Sequence, residues 1–386
     1  MSKRHPDFDY EAEGLLDDVE GEAARASRSR LLDYLLDDEL IEPEEVLAAH
    51  AEQRLFLLPV ERALGGAPRY TAGEVAEQAG VDVDLFLELR RSLGLAEPEH
   101  DQIFFSEFDV KTMKSVRANL DMGMSLESIR EINRVLGGAL SQLAVVVERQ
   151  FLATYLDPTL DEAEMAQRYA AITRATTPEF AFVLQHLFNL HLRDELRADV
   201  LGNEAAIDFL VGTREMAVCF ADLVGFTSLG QQIPADELGE IAERFNSIAA
   251  DVVRPPVRLV KTIGDAVMLA STSAGELLET ALELIDAVER EGEDFPELSV
   301  GIAFGTAVER GGDVYGPPVN LASRLCDVAR PGAILATDTL REAFRDEYDW
   351  SSAGRRRFKG IDEPVAGYRL RRKGARAAAK ERRRGE

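Results

Sequence analysis

The pattern of apolar and polar positions changes character once along the chain. Up to about residue 200, apolar residues recur at helical spacing, as in Leu31, Leu32, Leu35, Leu36 and Leu40. The background is Leu, Ala, Glu and Arg, all good helix formers. Gly65-Gly66, Gly80 and Asp157-Pro158 punctuate the run as turns. From about residue 214, short β-rich runs alternate with amphipathic helices. Strands are predicted over 216–220, 259–262, 266–270 and 298–304. In the last, Leu298, Val300, Ile302 and Phe304 share one face, while Ser299, Gly301, Ala303 and Gly305 take the other. One intervening helix carries Leu238, Ile241, Phe245, Ile248 and Val252 along a stripe. The other opens on Ser273 and Glu276, a capping box, and buries Leu277, Leu278, Ala281, Leu284, Ile285 and Val288. The order strand, helix, strand, strand, helix, strand predicts a ferredoxin-like α/β sandwich.

The fold class is therefore α+β, an all-helical domain over 1–200 followed by the sandwich over 214–371. Residues 201–213 read as the linker, with 197–211 as the connecting segment, and 372–386 as a basic tail. Within the helical half, 70–133 contains a segment resembling a helix-turn-helix.

Composition narrows the function classes. A chain of 386 residues is long enough for two domains, and 46% hydrophobic with 30% charged residues is an ordinary globular balance. The longest apolar run, 136–147, is short and contains Gly137, Gly138, Ser141 and Gln142. The N-terminus lacks the apolar core of a secretory signal. The expectation is a cytoplasmic protein without a membrane span. Two cysteines, Cys219 and Cys326, are too few for a disulfide framework and are expected to pack in a reduced interior. A net charge of −26, from 70 acidic and 44 basic residues, disfavours nucleic acid as a partner. The tail after Leu370 is the basic exception, readable as a solvated end or as a contact for an acidic membrane or the protein's own acidic face.

Three segments carry candidate chemistry. In FADLVGFTSL (220–229), a strand delivers Asp222, and Gly225, Phe226 and Thr227 turn into a helix whose first N–H groups can cradle phosphate. An acid beside such a cradle needs a cation between, and Mg²⁺ or Mn²⁺ favours one or two carboxylates with phosphate and water. In KTIGDAVM (261–268), Gly264 makes a tight turn and Asp265 follows it, where it can lie beside Asp222. Lys261 sits on the other arm. In GDVYGPPVNLASRL (312–325), Pro317 and Pro318 suit a helix start, and Asn320 and Arg324 share a helical face. An amide and a guanidinium there can orient a sugar and meet phosphate charge. Each feature alone has a plainer reading, a helix cap or a solvated charge; the set, in this order, is what points to chemistry.

That set resembles the catalytic domain of class III nucleotidyl cyclases over roughly residues 212–370. The resemblance implies that Asp222 and Asp265 bind two Mg²⁺ or Mn²⁺ ions, with the backbone carbonyl of Leu223 as a further ligand. It implies that Lys261 and Asp313 read the adenine edge, so that ATP is the substrate. Asn320 would orient the ribose, Arg324 meet the charge in flight, and Lys359 hold the distal phosphates. The family builds its site between two catalytic domains, which implies a homodimer with shared sites. The implied activity is conversion of ATP to 3′,5′-cyclic AMP and pyrophosphate.

The helical half, by resemblance to actinobacterial cyclases, is a regulatory and dimerising domain. Residues 70–98 and the segment after them resemble a MerR-like winged helix, but Asp82, Asp84 and Glu88 face where DNA would lie, against only Arg90 and Arg91. Residues 179–196 are apolar around the helix, a candidate dimer contact or lipid pocket. They also carry His186 and His191, which offers protons as an effector beside lipid. The alternatives to an active enzyme are a catalytically silent cyclase-like module and a DNA-binding regulator.

Overall fold

The computed structural model describes residues 5, 6, 8–201, 213–360 and 363–374. Most of the expected linker and most of the basic tail lie outside them. The chain divides into two compact units, Met1–Glu195 and Leu196–Glu386.

The first unit is helical: α1 (Glu22–Asp33), α2 (Pro43–Ala51), α3 (Leu58–Gly65), α4 (Ala72–Ala79), α5 (Val83–Ser92), α6 (Glu107–Asp121), α7 (Leu126–Tyr155) and α8 (Glu162–Leu201). Leu31, Leu32, Leu35 and Leu36 are buried with Leu15, Ile41, Val46 and Leu58, and Ala163 and Ala166 of α8 close this core. Leu40 does not join the stripe. The helix widens into a π-helical turn over Tyr34–Asp38, and Leu40 then adopts φ +55°, which points it outward at 58% exposure while Ile41 is buried. Arg28, almost buried, donates to Glu162 Oε2 at 2.7 Å and to the Leu15 carbonyl at 3.2 Å, tying three segments together.

A second core surrounds the α4–α5 turn. Thr71 and Glu74 form a reciprocal capping box, and Gly80 ends α4 at φ +67°. Phe86 packs edge-on to Phe105, with their ring centres 4.9 Å apart, among Val75, Leu87, Val110, Met113 and Ile129.

Beyond these cores, α7 and α8 carry apolar side chains that nothing among the described residues covers. Leu136, Val145, Val146, Phe182, Phe188 and Leu196 are all exposed. By length and composition α7 could cross a membrane, although no run in it is as long as the uninterrupted apolar stretch sought in the sequence.

The second unit is built on one sheet. It comprises β1 (Thr213–Leu223), α9 (Phe226–Leu229), α10 (Ala235–Val252), β2 (Arg258–Ile263), β3 (Ala266–Ser271), α11 (Ala274–Glu289), β4 (Leu298–Arg310), β5 (Asp313–Tyr315), α12 (Pro317–Val328), β6 (Ala333–Thr337), α13 (Asp338–Ala343), β7 (Tyr348–Arg356) and β8 (Val365–Arg372). The strand order is β2-β3-β1-β4-β6-β8-β7, with β5 paired to β4. Its first four strands, with α10 and α11, have the ferredoxin-like connectivity the sequence predicts. Only β4–β6 is parallel.

The alternation in β4 sorts the two faces. Leu298, Val300, Ile302 and Phe304 pack with Phe245 and Ile248 of α10 and with the apolar face of α11. Ala303 and Ala307 face the other way, into a smaller core with Met216, Val218, Met268 and Ala322 of α12. The capping box at α11 does not form. Ser273 is the N-cap residue, but its N–H is already taken by Ser271 Oγ at 3.0 Å, so the Glu276 arm has no donor to accept from.

Candidate active site

Strand register brings two acids together. Asp222, one residue from the end of β1, lies opposite Ala266 on β3 and Ser299 on β4. Asp265 occupies the β2–β3 turn, where Gly264 takes φ +63°, and its carbonyl accepts from Leu223 N at 3.2 Å. Burial pushes the Asp222 carboxyl up to about 6, and the charge of Asp265 and a hydrogen bond with it push the same way, with Asp327 adding less. Two close carboxylates, with no cationic side chain acting on Asp222 among the described residues, hold charge that a divalent ion would offset. Among the described residues no three His, Cys, Asp or Glu side chains converge, so backbone oxygens, phosphate and water would have to complete the shell. That suits Mg²⁺ or Mn²⁺ better than Zn²⁺.

The loop after Asp222 is held from behind, Val224 N donating to the Glu297 carbonyl at 2.8 Å. Gly225 then takes φ +76° and starts the single turn α9, with Phe226 turned toward the core and Thr227 exposed. As at any helix start, the first N–H groups have no intrahelical acceptor.

Lys261 on β2 and Asp313 on β5 meet, Nζ to Oδ2 at 2.5 Å, with both side chains partly exposed. Asp313 is further fixed by Val314 N, which donates to its Oδ1 at 2.8 Å. The result is an ammonium donor beside a carboxylate acceptor, a pattern that can read a planar edge offering one acceptor and one donor.

Helix α12 presents Asn320 and Arg324 on its exposed face. Gly316 at φ +144° and Pro317-Pro318 launch it. Gly301 of β4 lets it lie close to the sheet: a Cβ there would sit 2.1 Å from the Ala322 carbonyl and 2.2 Å from Cys326 N. Cys326 donates from Sγ to the Ser299 carbonyl at 3.1 Å, and burial pushes its thiol up to about 12. Both cysteines are free and buried.

Sequence reasoning missed Asp327, one turn beyond Arg324, whose carboxylate takes Arg324 Nη1 at 3.3 Å and adds to the charge around Asp222. As one acid among 70 it carries no distinguishing signal. It also missed Gly301, whose small size looks like ordinary strand alternation. Lys359 lies in the exposed turn after β7, and no hydrogen bond or ion pair among the described residues links it to the other site residues.

In the helical unit, Arg90 of the helix-turn-helix-like segment lies over the Phe104 and Phe105 rings, and Arg91 pairs with Glu97 at 2.6 Å. Both arginines expected to face DNA are thus engaged within the chain.

The family described as the adenylate cyclase regulatory domain matches residues 8–196, and that described as the adenylate and guanylate cyclase catalytic domain matches 212–372. A pH-sensitive adenylate cyclase of Mycobacterium tuberculosis is 36% identical, across 94% of this chain and 92% of its own length. The chain belongs to the adenylate cyclase family. An adenylate cyclase of Streptomyces coelicolor is 33% identical across 78% of each chain. A solved adenylate/guanylate cyclase/hydrolase from Silicibacter pomeroyi is 26% identical, covering 41% of this chain and 96% of that one at TM-score 0.36. In this cyclase, every candidate site residue falls inside the catalytic-domain match, and α7 falls inside the regulatory-domain match.

Proposed function

We propose that this cyclase converts ATP to 3′,5′-cyclic AMP and pyrophosphate at a site shared between two copies of the chain. The observation that carries the reading is the meeting of Asp222 and Asp265 in the same unit as the Lys261–Asp313 pair. Asp222, Asp265 and the Leu223 carbonyl would hold two Mg²⁺ or Mn²⁺ ions, which lower the pKa of the ribose 3′-hydroxyl and offset triphosphate charge. Lys261 donates to adenine N1 and Asp313 accepts from the 6-amino group; guanine presents the opposite pattern at those edges. Asn320 orients the ribose, and Arg324 stabilises charge on the α-phosphate as pyrophosphate leaves. Gly225, Phe226 and Thr227 offer backbone N–H groups to phosphate. Lys359 holds the distal phosphates.

Sharing of the site is supported by the exposure of Asn320 and Arg324, which in a single copy present their polar groups to an open surface. The second copy is also the partner that suits the uncovered side chains of α8, Phe182, Val183, Leu187 and Phe188 among them. An open apolar surface round the helix fits other helices better than an enclosed lipid. Regulation by acidity through the helical unit is supported by the pH-sensitive relative. His186, stacked on Phe182 with ring planes 4° apart, and His191 both lie in this exposed apolar segment.

The test is cyclic AMP formation from Mn-ATP by the full chain and by Asp222→Ala. Loss of about 10³-fold with an unchanged melting curve is expected, the scale seen when one group stabilising the reacting charge is removed. Retention of activity would sink the reading.

A further inference from the structure

Strand β2 lies at one edge of the sheet, with β3 and β1 between it and β4. Lys261 on β2 nevertheless meets Asp313 on β5, and a bulge is what turns it the right way. In a regular strand, residues three apart point to opposite faces. Here the register shifts between Leu259 and Lys261, so that Arg258 lies opposite Ala270 and Lys261 opposite Met268. Ala270 and Met268 both belong to the core under α12, whereas Leu259 and its partner Leu269 belong to the other face. Directly opposed residues share a face. Arg258 and Lys261 therefore both stand on the α12 side.

The β4–β5 hairpin answers them with two acids. Gly311 and Gly312 take φ +60° and +76°, the two left-handed positions of a tight hairpin turn. The return strand sets Asp313 opposite Arg310 and Val314 opposite Glu309. Asp313 takes Lys261, and Glu309 takes Arg258 through its Nη2. Among the described residues no backbone pairing joins β2 to β4 or β5. The charged ties between β2 and the hairpin are thus these two ion pairs, three residues apart on β2.

A planar edge is read well only when its donor and acceptor are held at a fixed separation. Asp313 is anchored on its own strand by Val314 N. Lys261, a point charge on a flexible stem, has no such anchor on an edge strand. We propose that Arg258 and Glu309 are positioning residues for base recognition, holding β2 against the hairpin so that Lys261 keeps its distance from Asp313. This rests on the reading of Lys261 and Asp313 as the adenine pair. Both members of the outer pair are partly exposed, so it adds little to stability; what it fixes is place.

The experiment compares the full chain with Glu309→Gln on Mn-ATP and Mn-GTP. KM for ATP should rise about fivefold with kcat nearly constant, because base contacts are made alike in the ground and transition states. The preference for ATP over GTP should fall by a similar factor. Glu309→Asp, which keeps the charge, should retain most of that preference. Reductive methylation of lysines, read by peptide mass spectrometry, supplies a readout without turnover. Lys261 should label about twofold faster in Glu309→Gln, with the other lysines unchanged, since an exposed pair shields only weakly. Unchanged labelling of Lys261, a fall in kcat at constant KM, or equal losses in Glu309→Gln and Glu309→Asp overturns the proposal. Lys261→Met separates this failure from that of the adenine reading. If Lys261→Met keeps the preference for ATP, Lys261 does not read the base and both ideas fall. If it loses the preference while Glu309→Gln keeps it, the positioning role alone falls.

Discussion

The two halves of this cyclase differ in how completely each covers its own apolar surface. In the catalytic unit, α10 and α11 close one face of the sheet and α12 the other, so six of the eight β1 residues from Met216 to Leu223 are buried. In the helical unit the short helices α1–α6 enclose two good cores, but α7 and α8 run on with apolar side chains in the open. One half is finished by its own chain; the other leaves a long surface for something else to cover. The site reproduces the contrast on a small scale, since the Asp222–Asp265 carboxylate pair is half-buried while Asn320 and Arg324 stand on an open helix face.

The closed half should be intolerant of added volume at its tightest point. Gly301→Ala places a methyl group against the backbone of α12, where nothing flexible can yield. A loss of about 3 kcal/mol and displacement of Asn320 and Arg324 are expected, the upper range for overpacking. Gly239→Ala in α10, where an added Cβ meets nothing, should instead stabilise by up to about 1 kcal/mol. Melting curves of the two full-length variants moving in the same direction would break the claim that α12 is seated by Gly301.

The open half should show the reverse, tolerance in one copy and sensitivity in assembly. Phe182→Ser/Phe188→Ser removes two exposed rings and should leave the monomer's melting point almost unmoved. If a second copy covers the stripe, each ring is worth about 1.5–3 kcal/mol there. The dimer Kd should then rise at least about 100-fold, as measured by sedimentation. An unchanged Kd would mean that the surface is covered by something other than a second copy.

Much of the closed half was readable in the sequence because two-residue alternation leaves a strong mark. The β4 faces follow from it, the α10 and α11 stripes follow from the helical period of 3.6 residues, and the connectivity of the first four strands follows from the order of these elements. What stayed hidden depends on distances between separate elements. Nothing local distinguishes Gly301 from a filler residue, or Ser273 with Glu276 from a capping box whose donor Ser271 has already taken. In the open half, the leucine stripe read correctly until the π-helical turn rotated Leu40 away. Within the candidate site, the meetings of Asp222 with Asp265 and of Lys261 with Asp313 were legible in the sequence, and the pairing of Arg324 with Asp327 was not.

Acidity offers a sharper test of the half-buried pair. The folded Asp222 binds its proton more tightly than an unfolded aspartate, at about 6 against the ordinary 3.8. Its contribution therefore stabilises the metal-free protein at low pH and is lost as pH rises through about 6. The metal-free chain's melting point should fall between pH 5 and 7.5 by about 2 °C more than that of Asp222→Asn. Saturating Mn²⁺ should remove the difference, because the cation replaces the proton. Equal pH slopes for the two proteins would mean that burial and the neighbouring Asp265 do not raise the Asp222 carboxyl in solution.

The smallest expected effect lies on the open face of α12. Arg324 and Asp327 are each about half exposed and meet through one contact of 3.3 Å. Such a pair is worth at most about 1 kcal/mol, and often nothing measurable. Asp327→Asn should therefore leave the melting point within about 0.5 kcal/mol of the parent. Its influence would show in turnover, because under the proposed mechanism Arg324 leaves this partner to meet a phosphate in a shared site. A rise in kcat of about two- to threefold is expected, with KM for ATP nearly constant, since the pair competes with an interaction made as charge develops. A fall in kcat would instead make Asp327 a residue that positions Arg324. In that case the exposed face of α12 is as finished by its own chain as the core beneath it.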